Sequence, residues 1–149
     1  MELIDLVEEK IVRIPLESKD KPDVLRELVQ ILKDAGKIDD FDKVLKAVQD
    51  REDKKSTGIE KGIAVPHAKT DAVSRLKLAI GLAPQGIDFD STDGEPSKLF
   101  FLLIAPPGLA GPHVEMLAEI AKLASSQSFC RTLVNANNAQ EIVELMKGK

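Results

Sequence analysis

Apolar residues recur at intervals of three and four twice in the first third of the chain. Val24, Leu25, Leu28, Val29 and Leu32 fall on one helical face, with Asp20 placed to cap its start, Pro22 in the first turn and Gly36 beyond its end. Phe41, Val44, Leu45 and Val48 repeat the pattern behind a second capping residue, Asp40, and fade into a charged stretch at 50–55. Two helices are therefore expected. Ahead of them, Ile11, Val12 and Ile14 are β-branched without a helical period, and Pro15 lacks a backbone donor. That combination predicts a short edge strand or an extended arm.

The middle of the chain changes period. Ser56-Thr57-Gly58 reads as a loop, and Gly62-Ile63-Ala64-Val65 as a short apolar strand ending at Pro66-His67. Leu76, Leu78, Ile80 and Leu82 alternate with Lys77, Ala79, Gly81 and Ala83, which predicts a half-buried strand turned by Pro84-Gln85-Gly86. Residues 99–105 are apolar without alternation, so both faces should be covered and this should be the central strand. After Pro106-Pro107-Gly108, Pro112 opens a helix with Leu117, Ile120, Ala121 and Ala124 facing inward. Phe129, Cys130, Leu133 and Val134 mark a short helix, and Asn138 caps a last one carrying Ile142, Val143, Leu145 and Met146. The order predicts an α/β layer structure with helices on both faces.

Composition narrows the function. A chain of 149 residues, 43% apolar, makes one domain, 1–149, with a core of its own. A net charge of -4, five Phe, no Trp and no Tyr leave no basic surface for phosphate backbones and no aromatic row for bases, so no nucleic-acid partner is expected. The single Cys130 and the acidic start Met1-Glu2-Leu3-Ile4-Asp5 point to the cytoplasm. The apolar run at 99–105 is too short to cross a bilayer, so the protein is not expected to be membrane-embedded. With two histidines far apart, one cysteine and no His-x-x-x-His or Cys-x-x-Cys, neither a metal nor a cofactor is expected.

Three residues could carry chemistry. His67, at the end of an apolar strand between small neighbours, is either a nucleophilic imidazole or a satisfied, half-buried ring. His113, in a first helical turn, is either a donor to a bound anion or a neighbour of the helix start without a role. Arg51 offers a planar fork suited to phosphate oxygens, or is a solvated cation at a helix end. Cys130 recurs with Phe129, Leu133 and Val134 at helical spacing, which favours packing over reactivity.

The run from Arg51-Glu52 through Ser56-Thr57-Gly58-Ile59 to Gly62-Ile63-Ala64-Val65-Pro66-His67-Ala68-Lys69 resembles the enzyme IIA domains of the bacterial sugar phosphotransferase system. Within that system it is similar to the fructose, mannitol and nitrogen-regulatory branch. The likeness continues through Ile87-Asp88-Phe89, Asp93-Gly94-Glu95-Pro96, the apolar strand, His113 and Cys130-Arg131. The resemblance implies a central mixed β-sheet flanked by helices on both faces. It also implies a phosphocarrier in which His67 accepts a phosphoryl group from a histidine-containing phosphocarrier protein, His113 stabilises the phosphate, and Arg51 contacts phosphate or partner. The phosphoryl group would pass to the cysteine of an enzyme IIB, or its presence would be read by a regulatory target protein, in either case on a separate chain.

Pro66-His67-Ala68-Lys69, Phe89-Asp90 and Cys130-Arg131 favour the nitrogen-regulatory type. A free-standing fructose- or mannitol-type carrier is the alternative, and a small-anion binding module that is never phosphorylated is an alternative of another class. Two positions depart from the family pattern. Glu60 stands where relatives commonly carry Gly, which would set a carboxylate near the phosphate, and Val114-Glu115 follow His113 where Leu and a small or polar residue are common.

Overall fold

Residues 99–105 set the axis of the fold, because a strand apolar on both faces is stable only between two covering layers. In the computed structural model, which describes residues 2–148, they lie in β5 (Ser97–Ala105) with no exposed surface. Burying each Leu, Ile or Phe side chain is worth about 1.5–3 kcal/mol, so this strand anchors the core. β4 (Lys77–Ile87) runs antiparallel beside it, with Leu78 opposite Leu103 and Leu82 opposite Leu99. Two short strands lie along its other edge, both parallel to it: β2 (Ile63–Ala64), with Ile63 opposite Leu99, and β3 (His67–Lys69), with His67 opposite Leu103. β1 (Val12–Arg13) completes the far side in parallel with β4. The sheet is therefore mixed, in the order β1-β4-β5-β2 with β3 continuing the β2 edge.

Four of the five α-helices among the described residues begin at a side chain that accepts a free backbone N–H of the first turn. Asp20 accepts from the Asp23 amide at 2.9 Å for α1 (Lys21–Asp34), and Asp40 from the Lys43 amide at 3.1 Å for α2 (Phe41–Lys54). Ser126 and Asn138 act likewise for α4 (Gln127–Val134) and α5 (Ala139–Met146). The remaining helix, α3 (Ala110–Ala124), is entered from a short 3-10 turn at Pro107–Leu109. α1 and α2 pack on each other and reach β4 and β3, respectively. α3 and α4 cover β5, and α5 rests on β1.

Four expectations change. β4 is not half-buried: residues 78–83 are all buried, and its large and small residues alternate because a helical layer presses close. A Cβ on Gly81 would come within 3.0 Å of Leu16 and Leu28, so the small residues mark crowding rather than water. Pro84-Gln85-Gly86 do not end the strand but form an irregularity inside it, between Leu82 and Ile87, with Gly86 at φ +81°. The charged stretch remains helical through Lys54, because Glu52 turns inward. Finally, α3 starts two residues before Pro112 and buries His113, Met116, Ile120 and Ala124, while Leu117 is half-buried and Ala121 exposed.

Candidate functional site

Pro66 separates β2 from β3, so His67 opens a second short strand instead of standing at a strand exit. The Pro66 carbonyl accepts from the Leu103 amide at 3.0 Å, which locks this break to the central strand. Within β3, Ala68 is buried while His67 and Lys69 project to the other side, as a period of two requires. The Nδ1 atom of His67 lies 2.8 Å from the Val65 carbonyl oxygen. That oxygen can only accept, so the proton of the neutral ring sits on Nδ1 and the lone pair on Nε2.

α2 and α3 close on the ring from two sides. Ala47, Asp50, Arg51 and Lys54 from α2, His67 and Lys69 from β3, and His113, Val114 and Leu117 from α3 line a cleft of about 570 Å³. Arg51 Nη1 donates to the Lys55 carbonyl at 2.9 Å, which fixes the guanidinium across the last turn of α2. His113 is 3% exposed, and its ring meets that of His67 edge-on, with centroids 5.8 Å apart. Its Nε2 has no hydrogen-bond partner among the described residues, an unusual state for a buried polar atom.

Burial is the main influence on both imidazoles and pulls both pKa values below the ordinary histidine value. For His67 the Val65 hydrogen bond opposes this, Arg51 adds to it, and Glu52 works against it. For His113 the neighbours His67 and Lys69 push in the same direction as burial. Both rings are therefore biased toward the neutral form, in a cleft whose other charged groups are the cations Arg51, Lys54 and Lys69 and the carboxylate of Asp50.

The structure thus gathers His67, His113 and Arg51 in one place. Glu60 is not there. It lies in the loop before β2, where Lys61 is tied to Asp93 and Gly62 to the start of β5. His67 pairs four residues further along β5 than Ile63 does, a separation of about 13 Å at 3.3 Å per residue. Thr57, Gly58 and Ile63, between α2 and β3, are buried and do not line the cleft. Sequence reasoning assigned no role to Glu52, Lys54, Lys69 or Val114. Glu52 continues the spacing of Val44, Leu45 and Val48, and Lys69 follows His67 by one strand period, so both signals were present. A larger cleft of about 720 Å³ lies beside Lys61, Cys130 and Arg131, without a histidine.

Residues 5–149 match the family model described as phosphoenolpyruvate-dependent sugar phosphotransferase system, EIIA 2. The chain belongs to this family. It is 34% identical over 146 residues to the fructose-specific EIIABC component of Bacillus subtilis, covering 98% of the chain and 23% of that relative. It is 33% identical over 103 residues to a nitrogen regulatory protein of Bradyrhizobium diazoefficiens, covering 69% of the chain and 67% of the relative. The crystal structure of nitrogen regulatory protein IIA-Ntr from Neisseria meningitidis has the same fold as this EIIA-family chain. Its TM-score is 0.89 at 24% identity, covering 97% of this chain and 98% of that one. No α-helix among the described residues is long and apolar enough to cross a membrane.

Proposed function

We propose that this chain is a phosphoryl carrier of the cytoplasm. It takes its group on Nε2 of His67 from a histidine-containing phosphocarrier protein and yields it to an enzyme IIB, or signals by carrying it. The observation behind this reading is the commitment of His67 Nδ1 to the Val65 carbonyl, which leaves Nε2 as the nucleophile in a cleft shared with His113 and Arg51. The Nε2 lone pair attacks phosphorus, an N–P bond forms, and the N–P bond to the donor histidine breaks with its electron pair returning to the donor ring. The Nδ1 proton stays in place. Charge on the phosphoryl oxygens is met by Arg51 and by the otherwise partnerless Nε2 of His113, through a loose, in-line transfer that needs positioning more than covalent help. Val114 and Leu117 form an apolar rim that limits hydrolysis.

The fructose-specific relative matches over 98% of the chain and the nitrogen regulatory relative over 69%, while the IIA-Ntr structure shares the fold over 97%, so these matches support a carrier of this family and not one branch of it. The motif residues Pro66-His67-Ala68-Lys69 favour the nitrogen-regulatory type, with a free-standing fructose-type carrier as the second reading. Incubation with phosphoenolpyruvate, enzyme I and the phosphocarrier protein, followed by intact mass, should show one added phosphoryl group in the wild type and none in His67→Ala. Onward transfer to a fructose-type enzyme IIB then separates the two branches. An unmodified wild-type chain would instead favour an anion-binding module.

A further inference from the structure

Glu52 sits in the last turn of α2 at 5% exposure, next to Arg51, and its carboxylate is not among the groups lining the cleft. Its oxygens accept from the Thr57 amide at 2.8 and 3.3 Å and from the Thr57 hydroxyl at 3.0 and 2.8 Å. Lys21 Nζ stands 3.2 Å away, and is itself held 4.6 Å above the Phe89 ring and 3.7 Å from Asp90. A carboxylate this buried is tolerated only when paired and hydrogen-bonded. The contacts do not stop at Thr57. The Thr57 carbonyl accepts from the Val65 amide at 3.0 Å, and the Val65 carbonyl accepts from His67 Nδ1 at 2.8 Å. One continuous series therefore leads from Lys21 through Glu52, Thr57 and Val65 to His67.

We propose that Glu52 is a positioning residue for phosphoryl transfer, gripping Thr57 so that Val65 holds the proton of His67 on Nδ1 and leaves the lone pair on Nε2. The proposal rests on His67 being the phosphoryl acceptor. Besides the direct charge of Glu52, which favours the protonated ring, the series acts mechanically rather than by relayed polarisation, because the N–H and C=O of Thr57 belong to different peptide groups, as do those of Val65. Each link removes one freedom: Glu52 fixes the loop, the loop fixes Val65, and Val65 fixes the tautomer and tilt of the ring. Holding the proton on Nδ1 serves both directions of transfer. It directs attack to Nε2 when the N–P bond forms there and the donor's bond breaks. It also keeps the phosphorylated ring protonated, and so a better leaving group, when the group moves on.

The test uses the full chain with ¹⁵N-labelled histidine, unphosphorylated, at pH 8, where ring nitrogen shifts report the tautomer. Asp50, Arg51 and Lys54 on α2, Lys69 on β3 and His113 on α3 line the same cleft as the ring and are unchanged in every variant. The wild type should show His67 as the Nδ1–H form. In Glu52→Gln the Nε2–H form should appear at about a tenth or more of the population, with transfer from the phosphorylated carrier protein slowed about 10- to 100-fold. Thr57→Val, which keeps its amide but loses the hydroxyl contact, should move both readouts in the same direction by less. It decides the matter if Glu52→Gln does not fold. A wild-type Nε2–H tautomer would overturn the proposal, as would folded variants with the wild-type tautomer and transfer rate. Because the tautomer is read before any phosphoryl group is added, failure here is distinct from failure of His67 to be phosphorylated, which intact mass reports.

Discussion

Replacing His113 with Met should separate function from stability. The imidazole is 3% exposed and its Nε2 has no partner among the described residues, whereas a buried polar atom left unpaired costs about 1–3 kcal/mol. Met fills a similar volume without that atom, and volume-conserving swaps in a core typically cost less than about 1.5 kcal/mol. The two effects nearly offset, so urea unfolding should place His113→Met within about 1 kcal/mol of the wild type, on the side of greater stability. Transfer should behave in the opposite way. Removing one oriented donor from a developing phosphoryl charge typically lowers the rate by about 10² to 10³, equivalent to about 2.7–4 kcal/mol. His113→Gln, which restores an N–H donor, should recover part of that loss. The assay is single-turnover transfer from the phosphorylated carrier protein, run beside the unfolding curves. A variant that transfers at the wild-type rate while losing more than about 2 kcal/mol of stability would make His113 a packing residue with no part in transfer.

Three further outcomes follow. Burial holds the His67 and His113 pKa values down, so the folded chain binds these protons less tightly than the unfolded chain. Stability should then decline as pH falls below about 6.5 while phosphoryl acceptance stays level through that value and drops only at lower pH; NMR titration midpoints at or above 6.5 for both rings would reject this. A Cβ on Gly58 would lie 2.7 Å from Ser91 Oγ and 3.0 Å from the Phe89 carbonyl, so Gly58→Ala should lose about 1–3 kcal/mol in urea unfolding and slow transfer by shifting Thr57, and a wild-type unfolding curve would contradict it. Val114, 64% exposed on the rim of the cleft, should tolerate Val114→Asp within about 0.5 kcal/mol of stability while association with the carrier protein, measured by calorimetry, weakens about tenfold; unchanged affinity would remove this rim from the docking surface.

Helices were legible because their signals are local. Asp20, Asp40 and Asn138 could be read as caps and accept first-turn amides, each ahead of a plain apolar spacing, whereas Ser126, which caps α4 in the same way, went unread. Residues 99–105 were legible as the central strand because a doubly covered strand has no polar positions to alternate. β4 misled because alternation of large and small residues mimics alternation of buried and exposed ones. The closeness of Leu16 and Leu28 to Gly81 is tertiary information. The same distinction runs through the site. His67, His113 and Arg51 could be named from residue type and neighbourhood, but their convergence depends on β3 pairing with β5 and on α2 and α3 flanking it. Glu60 shows the reverse error: it is seven positions before His67 in the chain, yet the loop that carries it is tied through Gly62 to the opposite end of β5, and Glu60 does not line the cleft. Glu52 looked like one more member of a solvated charged stretch until Thr57 and Lys21 were seen to enclose it.

Carrier chemistry at this site turns on one atom, Nε2 of His67. Phosphorylating the ¹⁵N-histidine-labelled chain with the carrier protein and recording ¹⁵N–³¹P coupling tests it directly. Coupling to His67 Nε2 alone is expected, with His67 Nδ1 still bearing its proton. Coupling to His67 Nδ1, or to either nitrogen of His113, would contradict it.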